Sequence, residues 1–168
     1  FLTDGGLETW LIFDEGIDIP NFASFTLMED ANAVSTMKRY FNNHLDVARR
    51  HGAGFILESP TWRASKDWAD LMGIDQQRLK EMTTKAIEMM LELHDEAPID
   101  QPTIVVSGNV GPRGDGYSPA FHMTADEAEI YHTPQITTMV EAGADMVGAL
   151  TMTYAAEAIG ITRAARKA

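Results

Sequence analysis

The sequence has 168 residues, 45% of them hydrophobic and 23% charged, which is typical of a globular domain with its own core. Its formal net charge of −12 argues against nucleic acid as a partner, because phosphate binding needs clustered lysine and arginine. No apolar run approaches the ~20 residues that span a bilayer, so we expect no membrane partner and a soluble, cytoplasmic protein.

Four short strand-like runs are each followed by a glycine- or hydroxyl-rich loop and then by a helical stretch. The first run covers residues 1–4, and a long irregular connection leads to a helix over residues 32–51, where apolar side chains recur at helical spacing. The second run, GFILE, ends at Glu58 and passes through SPTWRAS to a helix over residues 75–96, with Asp75 as a plausible N-cap.

The third run, TIVVS, is a continuous apolar stretch typical of a buried parallel strand, and it leads into the loop GNVGPRGDGY. Residues 124–127 predict a capping box at the start of the next helix. Pro134 is predicted to kink or break that helix, or to begin a second segment. The fourth run, DMVGAL, reaches Leu150 and leads through TMTY into a helix from about Ala155.

This alternation predicts an α/β protein with parallel strands joined by right-handed crossovers. An open doubly wound sheet and a (β/α) barrel both fit. The barrel is favoured, because polar residues follow every run and no run is followed by a dinucleotide or phosphate fingerprint. A complete TIM barrel takes about 250 residues. Residues 1–168 are therefore predicted to form a single domain, the first half (four βα units) of a (β/α)8 barrel in a longer protein. Alone, such a half would leave strand edges unpaired, so a homo-oligomer is one expectation.

The carboxyl ends of the strands meet on one face of such a barrel, where binding sites are built. These ends carry Asp4, Glu58, Ser59, Thr61, Ser107, Asn109, Thr151 and Thr153. We expect Asp4 to hold a polar group of a ligand, while Gly5 and Gly6 allow backbone N–H groups to approach it.

Four motifs resemble the zinc-dependent homocysteine S-methyltransferases over essentially the whole chain and in the right order: TDGGLET, ESPTWRAS, SGNVGP and EAGADM. That family includes the betaine–homocysteine and S-methylmethionine–homocysteine enzymes. The resemblance implies a (β/α)8 barrel that transfers a methyl group from a small onium or related donor to the thiolate of homocysteine, giving methionine. Its implied partners are these small-molecule substrates.

Within the resemblance, Asp4, Gly5 and Gly6 match residues that contact the amino acid end of homocysteine. Thr61 matches a hydroxyl in the loop after the second strand, and Asn109 lies in the matching loop after the third.

Relatives commonly place a glutamate at the end of the fourth strand, where this chain has Leu150 followed by Thr151. Glu58 is a hypothetical replacement for that charge. No catalytic residue is assigned. The implied substrate-binding residues are Asp4, Gly5, Gly6, Glu58, Thr61, Asn109 and Thr151.

The resemblance also implies a zinc ion held by three cysteine thiolates, with the substrate sulfur as its fourth ligand. Such coordination would keep the sulfur as a nucleophilic thiolate. This chain contains no cysteine and cannot form that site. Either a second half lies outside the sequence or the chain is a relative without the chemistry. His122 and His132 match no zinc signature and are assigned surface or packing roles.

Two alternatives stay open at this point. The first is a metal-free barrel enzyme or binding protein that uses Asp4, Glu58 and Asn109 for another polar small molecule. The second is a non-catalytic half-barrel. Glu58 either orients a substrate amine or pairs with Arg63, and its position is compatible with both. Trp62 either lines a pocket or packs on helix ends.

Overall fold

The computed structural model describes residues 1–117 and 122–168 and contains a small parallel sheet flanked by helices. The strands are β1 (Phe55–Glu58), β2 (Ile104–Val110) and β3 (Met146–Ala149). The helices are α1 (Leu7–Phe13), α2 (Ala31–Arg50), α3 (Lys66–Leu71), α4 (Gln76–Asp95), α5 (Ala125–Glu141) and α6 (Ala155–Lys167), with 3-10 helices at Pro20–Phe22 and Ser24–Glu29. No helix in the described ranges is long and apolar enough to cross a bilayer.

The sheet is parallel, in the order β1-β2-β3. Phe55 pairs with Ile104 across the first ladder, and Ser107 pairs with Met146 across the second. The predicted parallel arrangement is confirmed for these strands. Their carboxyl ends therefore lie at one edge of the sheet.

The predicted first strand over residues 1–4 is reduced to a single parallel bridge between Leu2 and Phe55. The Leu2 N–H donates to the Gly54 carbonyl at 2.8 Å, and the Ile56 N–H donates to the Leu2 carbonyl at 2.8 Å. The chain then leaves the ladder, because α1 begins at Leu7. The fold is thus a mixed α/β arrangement around a small sheet, and a half-barrel of four complete units is not confirmed.

The two long helices α2 and α4 agree with their predicted bounds within one residue. The Asp30 carboxylate caps α2 by accepting the N–H groups of Asn32 and Ala33, and the Asp75 carboxylate caps α4 by accepting the Arg78 N–H. Their apolar faces supply fully buried side chains such as Phe41. Burying one such side chain is worth about 1.5–3 kcal/mol, so packing decides where these helices lie.

Helices α5 and α6 pack closely on each other. The capping box of α5 is confirmed, with Thr124 and Glu127 bonding reciprocally. Pro134 lies inside α5, which continues through it, so the predicted break or second segment is wrong. A proline inside a helix costs about 3 kcal/mol, and the packing of α5 outweighs that cost. A Cβ on Gly160 would lie 2.5 Å from the Cβ of Ala128, so glycine permits the close contact of the two helices.

Strand β2 extends three residues beyond the predicted run and ends at Val110. Asn109 consequently lies on the strand and not in the following loop. Gly108 is required inside the strand, because a Cβ there would lie 2.6 Å from the sulfur of Met139 on α5. The sequence interpretation took this glycine as the start of a loop, whereas it marks a close helix–strand contact.

Candidate functional site

A cavity of about 690 Å³ lies at the carboxyl edge of the sheet. It is bordered by the chain after the Leu2 bridge, by the ends of β1 and β2 and by the segment after β3. Six of the seven residues implied by the resemblance line it: Asp4, Gly5, Gly6, Glu58, Asn109 and Thr151. The chain thus brings together side chains that are up to 147 positions apart, from Asp4 to Thr151.

Asp4 is held in the cavity by Tyr40 from the middle of α2. The Tyr40 hydroxyl donates to Asp4 Oδ2 at 3.1 Å and accepts the Gly5 N–H at 3.1 Å. Burial raises the pKa of Asp4 above its ordinary value, and the hydrogen bond from Tyr40 offsets only part of that effect. Burial and the nearby Asp4 charge raise the pKa of Tyr40 in turn, so its hydroxyl stays a donor.

Glu58 ends β1 and faces β3. Burial raises the pKa of its carboxyl group, the Ser107 hydroxyl opposes that effect, and the Asp4 charge adds to it. Its Oε2 atom is buried, and within residues 1–117 and 122–168 no group lies in hydrogen-bond geometry to it. A Cβ on Gly148 would lie 3.1 Å from both carboxylate oxygens, so glycine at that position of β3 makes room for the carboxylate. Arg63 does not pair with Glu58, because its ion-pair partner is Asp115.

Thr61 does not line the cavity and is fully buried behind it. Its hydroxyl donates to the Asn109 carbonyl at 2.8 Å and lies 2.7 Å from the Ser59 hydroxyl. Ser59 Oγ also accepts the Asn109 N–H at 3.1 Å. The loop after β1 therefore holds the Asn109 backbone in place. The Asn109 Oδ1 atom is buried, and no group in the described part of the chain forms a hydrogen bond with it.

Thr151 follows β3 with a φ of 57°, in the left-handed region that β-branched residues rarely adopt. Its hydroxyl accepts the Trp62 indole N–H at 3.0 Å and lies 2.7 Å from the Leu150 carbonyl, to which it donates. Such backbone strain persists where the surroundings enforce it, and it concentrates at functional sites. Trp62 lines the cavity, as does Leu150.

Arg63 is a cavity residue that the sequence analysis did not assign to the site. Its guanidinium lies 3.9 Å from the ring centroid of Trp68 and 4.7 Å from that of Trp62. It lies 3.5 Å from the Asp115 carboxylate and also donates to the Asn21 carbonyl. Burial lowers its pKa, while Asp115 opposes that effect. The available signal was the arginine between two tryptophans in TWRASKDW.

The described lining of the cavity is predominantly acidic. It contains one guanidinium, that of Arg63, and four carboxylates: Asp4, Glu8, Glu58 and Asp115. Glu8 accepts the Ser24 hydroxyl at 2.6 Å, and Asp115 is paired with the guanidinium. Among the described residues, neither Asp4 nor Glu58 forms an ion pair with a lysine or arginine, although the nearby His44 offsets part of the rise in the pKa of Asp4. This arrangement favours a ligand that brings a positive charge and hydrogen-bond donors, such as a primary ammonium group.

A protein-held zinc ion does not fit the residues described here. Residues 1–117 and 122–168 contain no group of three histidine, aspartate or glutamate side chains arranged to hold a metal ion. Cysteine is absent from the whole sequence. The side chains of this chain are therefore assigned to ligand binding, and no chemical step is derived through a metal.

Comparison with known proteins adds three findings. The family model described as Homocysteine S-methyltransferase matches residues 1–168. A homocysteine S-methyltransferase of Escherichia coli K12 is 26% identical over an alignment of 118 residues, which covers 65% of this chain and 37% of that protein. The crystal structures of the E. coli homocysteine methyltransferase MmuM match in their oxidized form (TM-score 0.79, 21% identity) and metallated form (TM-score 0.76, 18% identity). Each structural match covers 99% of this chain and 58% of the other.

Proposed function

The chain belongs to the homocysteine S-methyltransferase family, and we propose that it forms the substrate-holding half of an enzyme that methylates homocysteine. The reaction would transfer a methyl group from a small onium donor to the homocysteine thiolate and yield methionine. The chain spans 58% of the length of the solved relatives that it matches. We therefore propose that it is the N-terminal half of a (β/α)8 barrel and that the remainder supplies the activation of the sulfur.

The observation that supports this proposal most strongly is the pair of unpartnered acceptors in the cavity. Among the residues that the structure describes, Glu58 Oε2 and Asn109 Oδ1 are both buried and neither has a donor in hydrogen-bond geometry. Leaving such an atom unpaired costs about 1–3 kcal/mol of folding free energy. A bound ligand that donates hydrogen bonds to both atoms would recover that free energy. The ammonium group of an amino acid offers three hydrogen-bond donors and a positive charge to pair with the carboxylates of Asp4 and Glu58.

In this proposal the residues of the chain bind and orient the amino acid end of homocysteine. Glu58 takes the place of the acidic residue that relatives carry where Leu150 stands. Tyr40 holds Asp4 toward the cavity through its 3.1 Å hydrogen bond. Binding the amino acid end would hold the sulfur in line with the methyl donor. This would speed methyl transfer, because fixed orientation supplies a large part of many rate enhancements.

The proposal is tested with the full-length protein by titration calorimetry, using L-homocysteine and 4-sulfanylbutanoic acid, which has the same thiol and carboxylate but no amino group. Glu58→Gln should weaken the binding of homocysteine about tenfold or more, because a charge-assisted bond is lost. It should leave the binding of the des-amino thiol within about twofold. Equal losses for both ligands would contradict the role given to Glu58.

The reaction itself is tested by methylation assays with several onium donors, combined with zinc analysis of the same full-length preparation. Methionine formation would support the assignment. Stoichiometric zinc without methyl transfer from any donor would retain the family fold and refute the proposed substrate. Tight binding of another amino compound, with no binding of homocysteine, would favour the metal-free alternative.

A further inference from the structure

A second buried carboxylate, Glu157, lies outside the cavity between α5 and α6. It is in the first turn of α6 and is 1% exposed. Its Oε1 atom lies 2.9 Å from Nε2 of His132 on α5, whose side chain is completely buried. An unpaired charge in such a place is strongly destabilising, so the contact with His132 Nε2 matters for Glu157. The other ring nitrogen, His132 Nδ1, is buried without a hydrogen-bond partner among the described residues.

The same Glu157 oxygen also accepts a hydrogen bond from the backbone N–H of Arg113, at 2.7 Å. Arg113 belongs to the segment 111–117 that follows β2. Burial alone would raise the pKa of Glu157, but the hydrogen bonds from His132 and from the Arg113 amide outweigh burial and hold the pKa below its ordinary value. One charged oxygen therefore joins α5, α6 and the segment 111–117.

The side chain of Arg113 provides a second anchor for the segment. Its Nε donates to the Asp67 carboxylate at 2.8 Å, and its guanidinium lies 4.7 Å from the Tyr131 ring centroid. An exposed backbone turn would ordinarily leave this amide to water. Here the amide is directed inward to a buried carboxylate, which fixes the start of the segment.

The segment held in this way contributes directly to the cavity. Asp115, two residues after Arg113, pairs with Arg63 at 3.5 Å, and Tyr117 lines the cavity mouth. A Cβ on Gly116 would lie 3.2 Å from the Thr151 hydroxyl, so the segment also passes close to the strained residue after β3. A shift at Arg113 would therefore displace two groups of the candidate site.

We propose that Glu157, held by His132, is a positioning residue that fixes the Arg113 backbone and thereby places Asp115 and Tyr117 at the cavity. The inference rests on the proposed function in one respect, namely that this cavity holds the substrate. The contact between His132 and Glu157 would then do more than join α5 to α6, because it would also fix the position of the segment 111–117.

Tryptic cleavage after Arg113 in the native full-length protein tests the tether without any ligand. Glu157→Leu removes the acceptor and should speed cleavage after Arg113 about tenfold, measured by mass spectrometry, because the amide bond that restrains local opening is lost. Cleavage after Lys85, in the middle of α4, requires that helix to open and should change far less. The ratio of the two rates is the quantity to compare.

Two further variants separate tethering from helix packing. Glu157→Gln retains Oε1 as an acceptor and should stay within about threefold of the wild-type ratio. Gly160→Ala displaces α6 from α5 as a whole, because a Cβ there would lie 2.6 Å from the Glu129 backbone nitrogen. It should lower the melting temperature and raise the ratio less than Glu157→Leu does, because it retains the acceptor for the Arg113 amide. If Glu157→Leu does not fold, Glu157→Asp replaces it. Its shorter side chain cannot reach both partners and should raise the ratio above that of Glu157→Gln.

A ratio for Glu157→Leu or Glu157→Asp no higher than that of Gly160→Ala would overturn the inference, whatever the protein binds. If the proteolysis result supports the tether, Glu157→Leu should also raise the Kd for homocysteine about fivefold or more. Glu157→Gln should have a Kd near that of the wild type. An unchanged Kd beside a raised ratio would overturn the link to the cavity. Absence of homocysteine binding by the wild type would instead refute the proposed function and leave the proteolysis result intact.

Discussion

Two regions of this molecule shield a glutamate from water, Glu58 in part and Glu157 almost completely, and they treat it in opposite ways. At the carboxyl edge of the sheet, Glu58 has a raised pKa and one oxygen for which the described ranges provide no hydrogen-bond partner. Between α5 and α6, Glu157 has an oxygen shared by His132 and the Arg113 amide and a lowered pKa. In the proposals made above, the first carboxylate binds a ligand and the second fixes a structural contact.

The largest effect should come from removing the satisfied carboxylate. Glu157→Leu leaves the His132 nitrogen and the Arg113 amide buried without their acceptor, and it should lower the free energy of unfolding by about 3 kcal/mol. Urea denaturation of the full-length protein at neutral pH measures this. Glu157→Gln retains the acceptor and should cost about 1 kcal/mol. Equal losses in the two variants would remove the contrast with Glu58.

Removing the charge of the unsatisfied carboxylate should have a smaller effect of opposite sign. Glu58→Gln relieves the burial of a charge and should raise the free energy of unfolding by about 1 kcal/mol at pH 7, at the expense of ligand binding. The raised native pKa means that protonation favours the folded state. This contribution is fully present below the unfolded pKa, about 4.3 for Glu, and is lost as the pH rises through the native pKa.

The measurement is the difference in stability between Glu58→Gln and the wild type across pH 4 to 7. It should be near zero at pH 4, where both side chains are neutral, and should grow toward pH 7. Glu157 has the opposite sign, because its native pKa is lowered. Its stabilisation is present above the unfolded pKa and is lost as the pH falls through the native pKa. A difference that does not change with pH would show that Glu58 is well solvated, and one that shrinks toward pH 7 would show that the folded protein stabilises its charge.

The smallest effect should come from an exposed ion pair between the same two helices. Arg163 on α6 lies 2.7 Å from Asp126 on α5, whose side chain is 86% exposed. Asp126→Ala should cost at most about 0.5 kcal/mol, because water and salt screen such pairs. A loss as large as that of Glu157→Leu would show that helix contact in general, and not burial of the shared carboxylate, controls the stability of this region.

Local sequence signals were sufficient for the long elements. Helices α2 and α4 follow from their apolar periodicity and from the capping residues Asp30 and Asp75, which act through neighbouring amides. Strand β1 follows from its short apolar run. These signals succeed because the interactions that they describe lie within a few residues of one another along the chain.

Short elements could not be read in the same way. Helices α1 and α3 have seven and six residues, too few to be stable in isolation, and they exist because the surrounding structure covers their apolar sides. The same holds for the continuity of α5 through Pro134. The predicted first strand failed for the converse reason, since residues 1–4 have the composition of a strand but contribute only one bridge.

For the candidate site, the sequence by itself determined which polar residues follow the strands, because the local residue types indicate where strands end and turns begin. That six of the seven implied residues share one cavity confirms their proximity, while their binding roles stay predictions. Only the tertiary structure decided that Thr61 turns away, that Arg63 and Asp115 join the lining, and that Glu157 holds the segment 111–117. Those outcomes depend on contacts between residues 44 to 52 positions apart, and such contacts are set by how helices and strands pack, which no local pattern records.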